Sequence, residues 1–265
     1  MIDLHSHFLF GIDDGSKDLA TSMEMLRQAK ELGITHLLAT PHVDEQTSDE
    51  TIGTIKKNFS EISDRIKKEK ISLNIRLGAE LAYDAGLLNL SEQTWIYIDS
   101  DHKYLLLEMP LFNLPLNVAD LLFQLRLKNI IPIIAHPERN VNIQKNISIL
   151  QDWIRQDCII QLNAGSIVGK FGKICQSVAE ELLVEKIVHF VGSDAHDPRH
   201  RNYFVLKDAY QRISEKYGDE FASILFNQNP ERIWKGDQVI KMDLPVRKRY
   251  QKISRKIFQK LNIFR

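Results

Sequence analysis

The sequence predicts an α/β fold organised on a parallel sheet, open or closed. Three observations carry this. Seven short apolar runs are separated, for the most part, by longer stretches with helical spacing. Nearly every run ends in His, Asp or Glu, the pattern of a sheet whose C-terminal edge carries a site. No shift in composition interrupts the chain before residue 244, so 1–243 reads as one domain and 244–265 as a tail.

The first strand starts at Met1-Ile2 and runs into Asp3-Leu4-His5-Ser6-His7, where strand alternation turns His5 and His7 to one side. Phe8 to Lys17 is turn-rich, with Gly11, Gly15 and the pair Asp13-Asp14. A helix over 19–32 follows from Met23, Leu26, Ala29 and Leu32, and Gly33 closes it. His36 to Ala39 reads as a buried strand ending in Thr40-Pro41-His42. A charged helix over 49–70 leads to a strand over 75–80. Tyr104 to Glu108 is a strand stopped by Pro110, and a helix over 118–128 precedes the strand 131–136. Helix 147–156 leads to strand 158–163, and helix 173–186 to strand 187–194. Helices over 203–217 and 219–227 fill the C-terminal third.

At 43% hydrophobic and 26% charged, the composition is that of a folded, water-soluble enzyme. No apolar run is long enough to span a bilayer and the N-terminus lacks a signal pattern, so a cytoplasmic location is expected. The two cysteines, Cys158 and Cys175, suggest no disulfide framework. A cysteine nucleophile in a phosphate loop needs an arginine six positions on, where Ala164 and Glu181 stand instead. The whole chain is formally neutral, but eight basic and no acidic residues lie between Leu244 and Arg265, leaving 1–243 at −8. An acidic body argues against nucleic acid as a partner.

The chemistry-bearing residues cluster at strand ends. His5 and His7 end the first strand, His42 the second, Glu80 the third, Glu108 the fourth, His136 the fifth, and Asp194 with His196 the seventh. Singly, each has an ordinary explanation as a surface histidine, a solvent-facing glutamate or a turn filler before proline. Together they define a site for divalent ions of borderline-to-hard character, without thiolates. Eight or nine ligands exceed one ion's needs, so a cluster of two or three is expected. Such a cluster lowers the pKa of a bridging water and absorbs charge on phosphoryl oxygens. Arg139, three residues past His136, and Arg201, five past His196, suit the remaining phosphate oxygens, the alternative being surface pairs with Glu138 or Asp197. Phosphomonoester hydrolysis is the expected reaction.

Asp3-Leu4-His5-Ser6-His7, Thr40-Pro41-His42, His136-Pro137-Glu138-Arg139 and Ser193-Asp194-Ala195-His196 resemble the four motifs of the polymerase-and-histidinol-phosphatase (PHP) superfamily. Within it the chain resembles the bacterial protein tyrosine phosphatases of capsule and exopolysaccharide operons, the CpsB/CapC group, from residue 1 to about 235. Gly11-Ile12-Asp13-Asp14-Gly15, Gly78-Ala79-Glu80 and Leu107-Glu108-Met109-Pro110 share in the likeness. The resemblance implies a distorted seven-stranded (β/α) barrel with three ions, usually manganese, with Fe, Zn, Co or Mg as substitutes. It implies His5, His7, Glu80 and Asp194 around one ion, Glu80, Glu108 and His136 around a second, and Asp14, His42 and His196 around the third. Spacing alone leaves Asp13 and Asp14 open; the family match favours Asp14. Arg139 and Arg201 match the family's phosphate-binding arginines. Phe10 stands where the family commonly has proline, which implies a local loop change.

The resemblance also implies the reaction, attack of a metal-bridging hydroxide on phosphotyrosine, and the partner, a membrane-associated bacterial tyrosine kinase. The nearest rival is a small-molecule PHP phosphatase such as histidinol-phosphatase. In the tail, Ile253, Ile257 and Leu261 recur at helical spacing among basic residues. That pattern fits the inner membrane surface, an acidic partner, or a solvated end.

Overall fold

The computed structural model describes residues 1–84 and 86–241, so the 244–265 tail and its boundary at 243 lie outside the described residues. Nine strands are described: β1 (Ile2–Asp3), β2 (His36–Ala39), β3 (His42–Val43), β4 (Asn74–Leu77), β5 (Glu80–Ala82), β6 (Tyr104–Glu108), β7 (Ile131–Ala135), β8 (Ile159–Asn163) and β9 (Phe190–Gly192). The helices are α1 (Leu19–Glu31), α2 (Asp49–Lys68), α3 (Leu87–Leu90), α4 (Val118–Leu127), α5 (Val141–Lys145), α6 (Ser148–Arg155), α7 (Ala164–Ile167), α8 (Gly172–Val184), α9 (Phe204–Tyr217), α10 (Asp219–Ser223) and α11 (Asn229–Trp234).

All pairings are parallel, and they form two sheets, β1-β2-β4 and β3-β5-β6-β7-β8-β9. Seven expected strands become nine because two are broken. Pro41 has no N–H to offer a ladder and separates β2 from β3, while Gly78-Ala79 separates β4 from β5. Single hydrogen bonds carry on across the breaks, from Gly78 N–H to the Ala39 carbonyl (2.9 Å) and from Glu80 N–H to the Pro41 carbonyl (3.0 Å). At the other margin, the segment after β1 meets the segment after β9. His7 N–H donates to the Ala195 carbonyl (2.8 Å) and Asp194 N–H to the His5 carbonyl (3.0 Å). Buried Asp3 strengthens this seam by accepting from Ser193 N–H (3.0 Å) and Ser193 Oγ (2.5 Å). Among the described residues the strands thus form two open sheets joined at their margins, and no single closed seven-stranded sheet.

Strand alternation explains where the site stands. On one face run Tyr104-Leu106-Glu108, Ile159-Gln161-Asn163 and Phe190-Gly192-Asp194, apolar first and polar at the C-terminal end. The apolar members join Ile2, Leu4, Leu38, Ile133 and Ile233 in one buried cluster beneath the polar tips. The alternate residues, among them Leu105, Leu107, Ile134, Ile160 and Val191, pack in the larger core with the apolar faces of the helices. Asp18 caps α1 by accepting from Thr21 N–H, and Ser48 caps α2 by accepting from Thr51 N–H. The expected helix over 219–227 is α10 running into a π-helical turn, Ile224–Gln228. No described helix is long and apolar enough to cross a membrane.

Candidate metal centre

β1 covers only Ile2–Asp3, so His5 and His7 project from the segment beyond it, where their Nε2 atoms lie 3.3 Å apart. Their outer nitrogens are tied down. His5 Nδ1–H donates to Gln161 Oε1 (3.1 Å), His7 Nδ1–H to Asp13 Oδ2 (2.8 Å) and His196 Nδ1–H to the Asp194 carbonyl (3.0 Å). Each bond leaves an Nε2 facing inward, as a ligand needs. Glu80 lies at the centre, fully buried. Its Oε2 is 3.1 Å from His5 Nε2, 3.2 Å from His7 Nε2 and 3.3 Å from His42 Nδ1, and its Oε1 is 2.9 Å from His136 Nε2. Glu108 reaches His136 Nε2 at 3.6 Å and His42 Nδ1 at 3.8 Å. Asp14 Oδ1 lies 3.1 Å from His196 Nε2 and 3.6 Å from His42 Nε2.

Asp194 divides its carboxylate. Oδ1 lies 3.6 Å from the Nε2 atoms of both His5 and His7. Oδ2 accepts from Arg201 Nη2 (2.7 Å), Asn163 Nδ2 (2.8 Å) and Arg139 Nη1 (3.1 Å). The structure therefore brings all nine expected ligand residues into one basin and places both arginines at its edge. Backbone turns assist: His136 and Asp194 follow β7 and β9 in the left-handed region, at φ 30° and 53°, a costly conformation for side-chain-bearing residues. Gly192 is needed for closeness, since a Cβ there would sit 3.0 Å from His5 Cβ and 2.9 Å from Gln161 Nε2.

Three overlapping groups have ligand atoms within 4.8 Å of one another: His7, Asp14, His42 and His196; His5, His7 and Glu80; and His42, Glu80 and Glu108. They share His7, His42 and Glu80, which suits neighbouring ions with common ligands. The electrostatics agree with a cation-seeking basin. Burial works against ionised Glu80, but the charge of His5, the hydrogen bond from His136 and the close imidazoles of His5 and His7 hold its carboxyl well below the usual range. Asp194 is likewise pulled down, against its burial, by His5, His136 and Arg201. Burial disfavours charged His7, yet its hydrogen bond to Asp13 and the Glu80 carboxylate beside it raise it to about 10, and Asp13 falls, against its own burial, to about 2. Burial and the neighbouring His7 push His196 down to about 4.

The structure assigns Asp13 and Asp14 different tasks. Asp13 braces His7 from outside and accepts from His42 N–H (3.1 Å), while Asp14, with 64% of its side chain exposed, reaches inward to His42 and His196. Gln161 and Asn163 are uncharged and do not stand out by residue type in the sequence; their alternation with Ile159 is the signal that places them on the site face. Asn163 ends the one apolar run of the seven without a His, Asp or Glu at its C-terminal end. Glu138, the alternative partner of Arg139, is instead fully buried, accepting from Asn163 N–H (3.1 Å) and Ser166 Oγ (2.6 Å). Arg139 lies over the ring of Phe171 at 4.7 Å, and that ring sits where Gly165 has no side chain. Burial pushes the Cys158 thiol up to about 12 and raises Cys175 as well, so neither is a ready thiolate.

Fold and basin together define an α/β protein with a cluster of imidazoles and carboxylates able to hold metal ions, edged by arginines. A family model described as capsular polysaccharide synthesis, CpsB/CapC, matches residues 1–235, and the chain belongs to this family. It is 32% identical over 251 residues to the tyrosine-protein phosphatase YwqE of Bacillus subtilis, covering 94% of this chain and 98% of that protein. A crystal structure from work on YwqE of B. subtilis and CpsB of Streptococcus pneumoniae, described as unique metal-dependent tyrosine phosphatases, matches with a TM-score of 0.84. Its identity is 31%, over 94% of this chain and 100% of that one. The histidinol phosphate phosphatase of Lactococcus lactis shares the fold alone, with a TM-score of 0.56 and 14% identity over 85% of this chain and 96% of that one.

Proposed function

We propose that this chain is a metal-dependent phosphoric monoester hydrolase that removes phosphate from phosphotyrosine in proteins. The observation that carries the reading is the divided Asp194, with imidazoles against one oxygen and two guanidinium groups on the other. Metal-binding chemistry and phosphate-binding chemistry thus meet at one side chain. The family and the activities named for its relatives support the same reading.

The donor set fits divalent cations. Glu80 Oε2 is buried without a hydrogen-bond partner while three imidazole nitrogens crowd it, an arrangement that a cation relieves. His5, His7, Glu80 and Asp194 would hold one ion, Glu80, Glu108 and His136 a second, and Asp14, His42 and His196 a third, with manganese the proposed metal. Such ions supply an activated water at neutral pH and absorb charge developing on phosphoryl oxygens. The protein's own residues do the positioning. Arg139 and Arg201 hold the phosphate's outer oxygens in place by their planar forks. Asn163 and Asp13 keep Asp194 and His7 aimed. The phenol leaving group has a pKa of about 10, so little proton donation is required of the protein. Supporting this geometry, the two sheets act as a distorted seven-segment barrel.

The proposed substrate is a membrane-associated tyrosine kinase of capsule or exopolysaccharide synthesis, met in the cytoplasm near the inner membrane surface, with the basic tail adding attraction. The test is metal content by mass spectrometry, paired with assays on a phosphotyrosine peptide and on histidinol phosphate. Chelator is expected to abolish activity, manganese to restore it and a thiol reagent to leave most of it. Faster turnover of histidinol phosphate would instead favour the small-molecule reading.

A further inference from the structure

A cavity of about 270 Å³ opens beside the basin. Its inner end is lined by Asp194, Arg201 and Asn163, and its wall by Phe171. Its outer part is lined by Lys170 and His200. Lys170 in the outer part carries a charge that no acid among the described residues compensates. Some basic side chains elsewhere on the surface pair with acids, among them Arg27 with Glu69, Lys128 with Glu92, Lys235 with Glu231 and Lys241 with Asp157. Among the described residues, no carboxylate stands within salt-bridge distance of the side chains of Lys170 or His200. Among the described residues, the hydrogen bond of Lys170 Nζ goes to the His200 carbonyl, at 3.4 Å. The acid nearest in sequence, Asp197, is engaged by backbone N–H groups of Arg199 (2.7 Å), His200 (2.6 Å) and Arg201 (3.0 Å). Those bonds fix the loop and engage the carboxylate away from Lys170. This occurs on a body, residues 1–243, whose formal net charge is −8.

A local cationic mouth on an acidic body selects what enters, because like charge elsewhere repels anions that the mouth attracts. The phosphate itself is provided for by Arg139 and Arg201 deeper in. We propose that Lys170 and His200 form a subsite for a second anionic group on the substrate polypeptide, next to the phosphotyrosine. That group is a carboxylate side chain or a second phosphoryl group. The inference rests on the phosphatase reading and adds to it a preference for negatively charged sequence around the target tyrosine.

The experiment measures kcat/KM at low ionic strength on three phosphotyrosine peptides: one with neutral flanks, one with Asp and Glu flanks, and one with a second phosphotyrosine. Para-nitrophenyl phosphate, which has no flanks, provides the reference rate. The wild-type protein is expected to favour one or both anionic peptides by about tenfold through KM. That preference should shrink to about twofold or less in 0.5 M salt, where charges are screened within about 4 Å. The variant Lys170→Glu should lose or reverse it relative to the reference rate. Comparison of the two anionic peptides identifies the source of the charge. Equal rates on all three peptides with the wild-type protein, or a preference that survives in the variant, would overturn the subsite. Failure to hydrolyse any phosphotyrosine peptide would overturn the phosphatase reading itself, a different result from equal rates.

Discussion

Asp194 Oδ2 accepts three hydrogen bonds, and each donor has a distinct expected effect. Removing the Arg139 guanidinium in Arg139→Ala is expected to lower kcat/KM by about 10²–10³, the usual loss for one preorganised donor. Asn163→Ala leaves both arginines in place and only frees Asp194 to turn, so a loss of about 10–100-fold is expected, together with weaker metal binding. Assays at fixed metal, followed by metal titration, separate the two variants. Outside the basin, His189 is neutral and buried, with Nδ1 accepting from Ile160 N–H at 3.1 Å. Burial and then Lys241 lower it to about 4. Between pH 6.5 and 4 the unfolded chain binds a proton that folded His189 refuses. Its contribution to stability is therefore complete above pH 6.5 and is lost as pH falls, by about 3 kcal/mol in all. His189→Asn retains an acceptor and removes this loss. Asp3, pushed up to about 6 by burial, works in the opposite direction. The difference between wild-type and variant urea midpoints at pH 7 and 4.5 therefore isolates His189.

Elements were legible to the extent that their signals were local. The periodicity of Met23, Leu26 and Ala29 and the Gly33 stop predict α1 to within a residue, because both act through neighbours in sequence. The breaks at Pro41 and Gly78-Ala79 depend on which strand lies alongside, and sequence carries that only weakly. The ligand-capable residues stand out by chemical type, whereas Gln161 and Asn163 act by hydrogen bonds whose partners lie 25 or more positions away in the chain. Asp13 differs from Asp14 only in the turn that aims it. Gly192 illustrates an element-scale constraint, since any side chain would press into His5 and Gln161. Gly192→Ala is expected to cost about 1–3 kcal/mol of stability through overpacking. It should also weaken metal binding, because the displaced group is His5; calorimetry and metal titration check both.

At the scale of the molecule, the basin gathers side chains from residue 5 to residue 201, so bound cations would link nearly every sector of the sheets. The raised pKa of His7, about 10, means that a cation must displace a proton there. Metal affinity should therefore increase with pH, by about tenfold per unit for one released proton. Isothermal titration at pH 7 in two buffers of different ionisation enthalpy counts that proton. A count of zero would argue against His7 as a ligand.

The seam between Asp3 and Ser193 joins residues 190 positions apart. A ribosome adding about 5–20 residues per second needs on the order of 10–40 s to make the second after the first. The nascent chain therefore presents His5 and His7 long before Asp194 and His196 exist. Assembly of the complete cage is a late event in biosynthesis, and a product that stops short of Asp194 would keep the imidazole pair yet lack the residue that joins cations to phosphate.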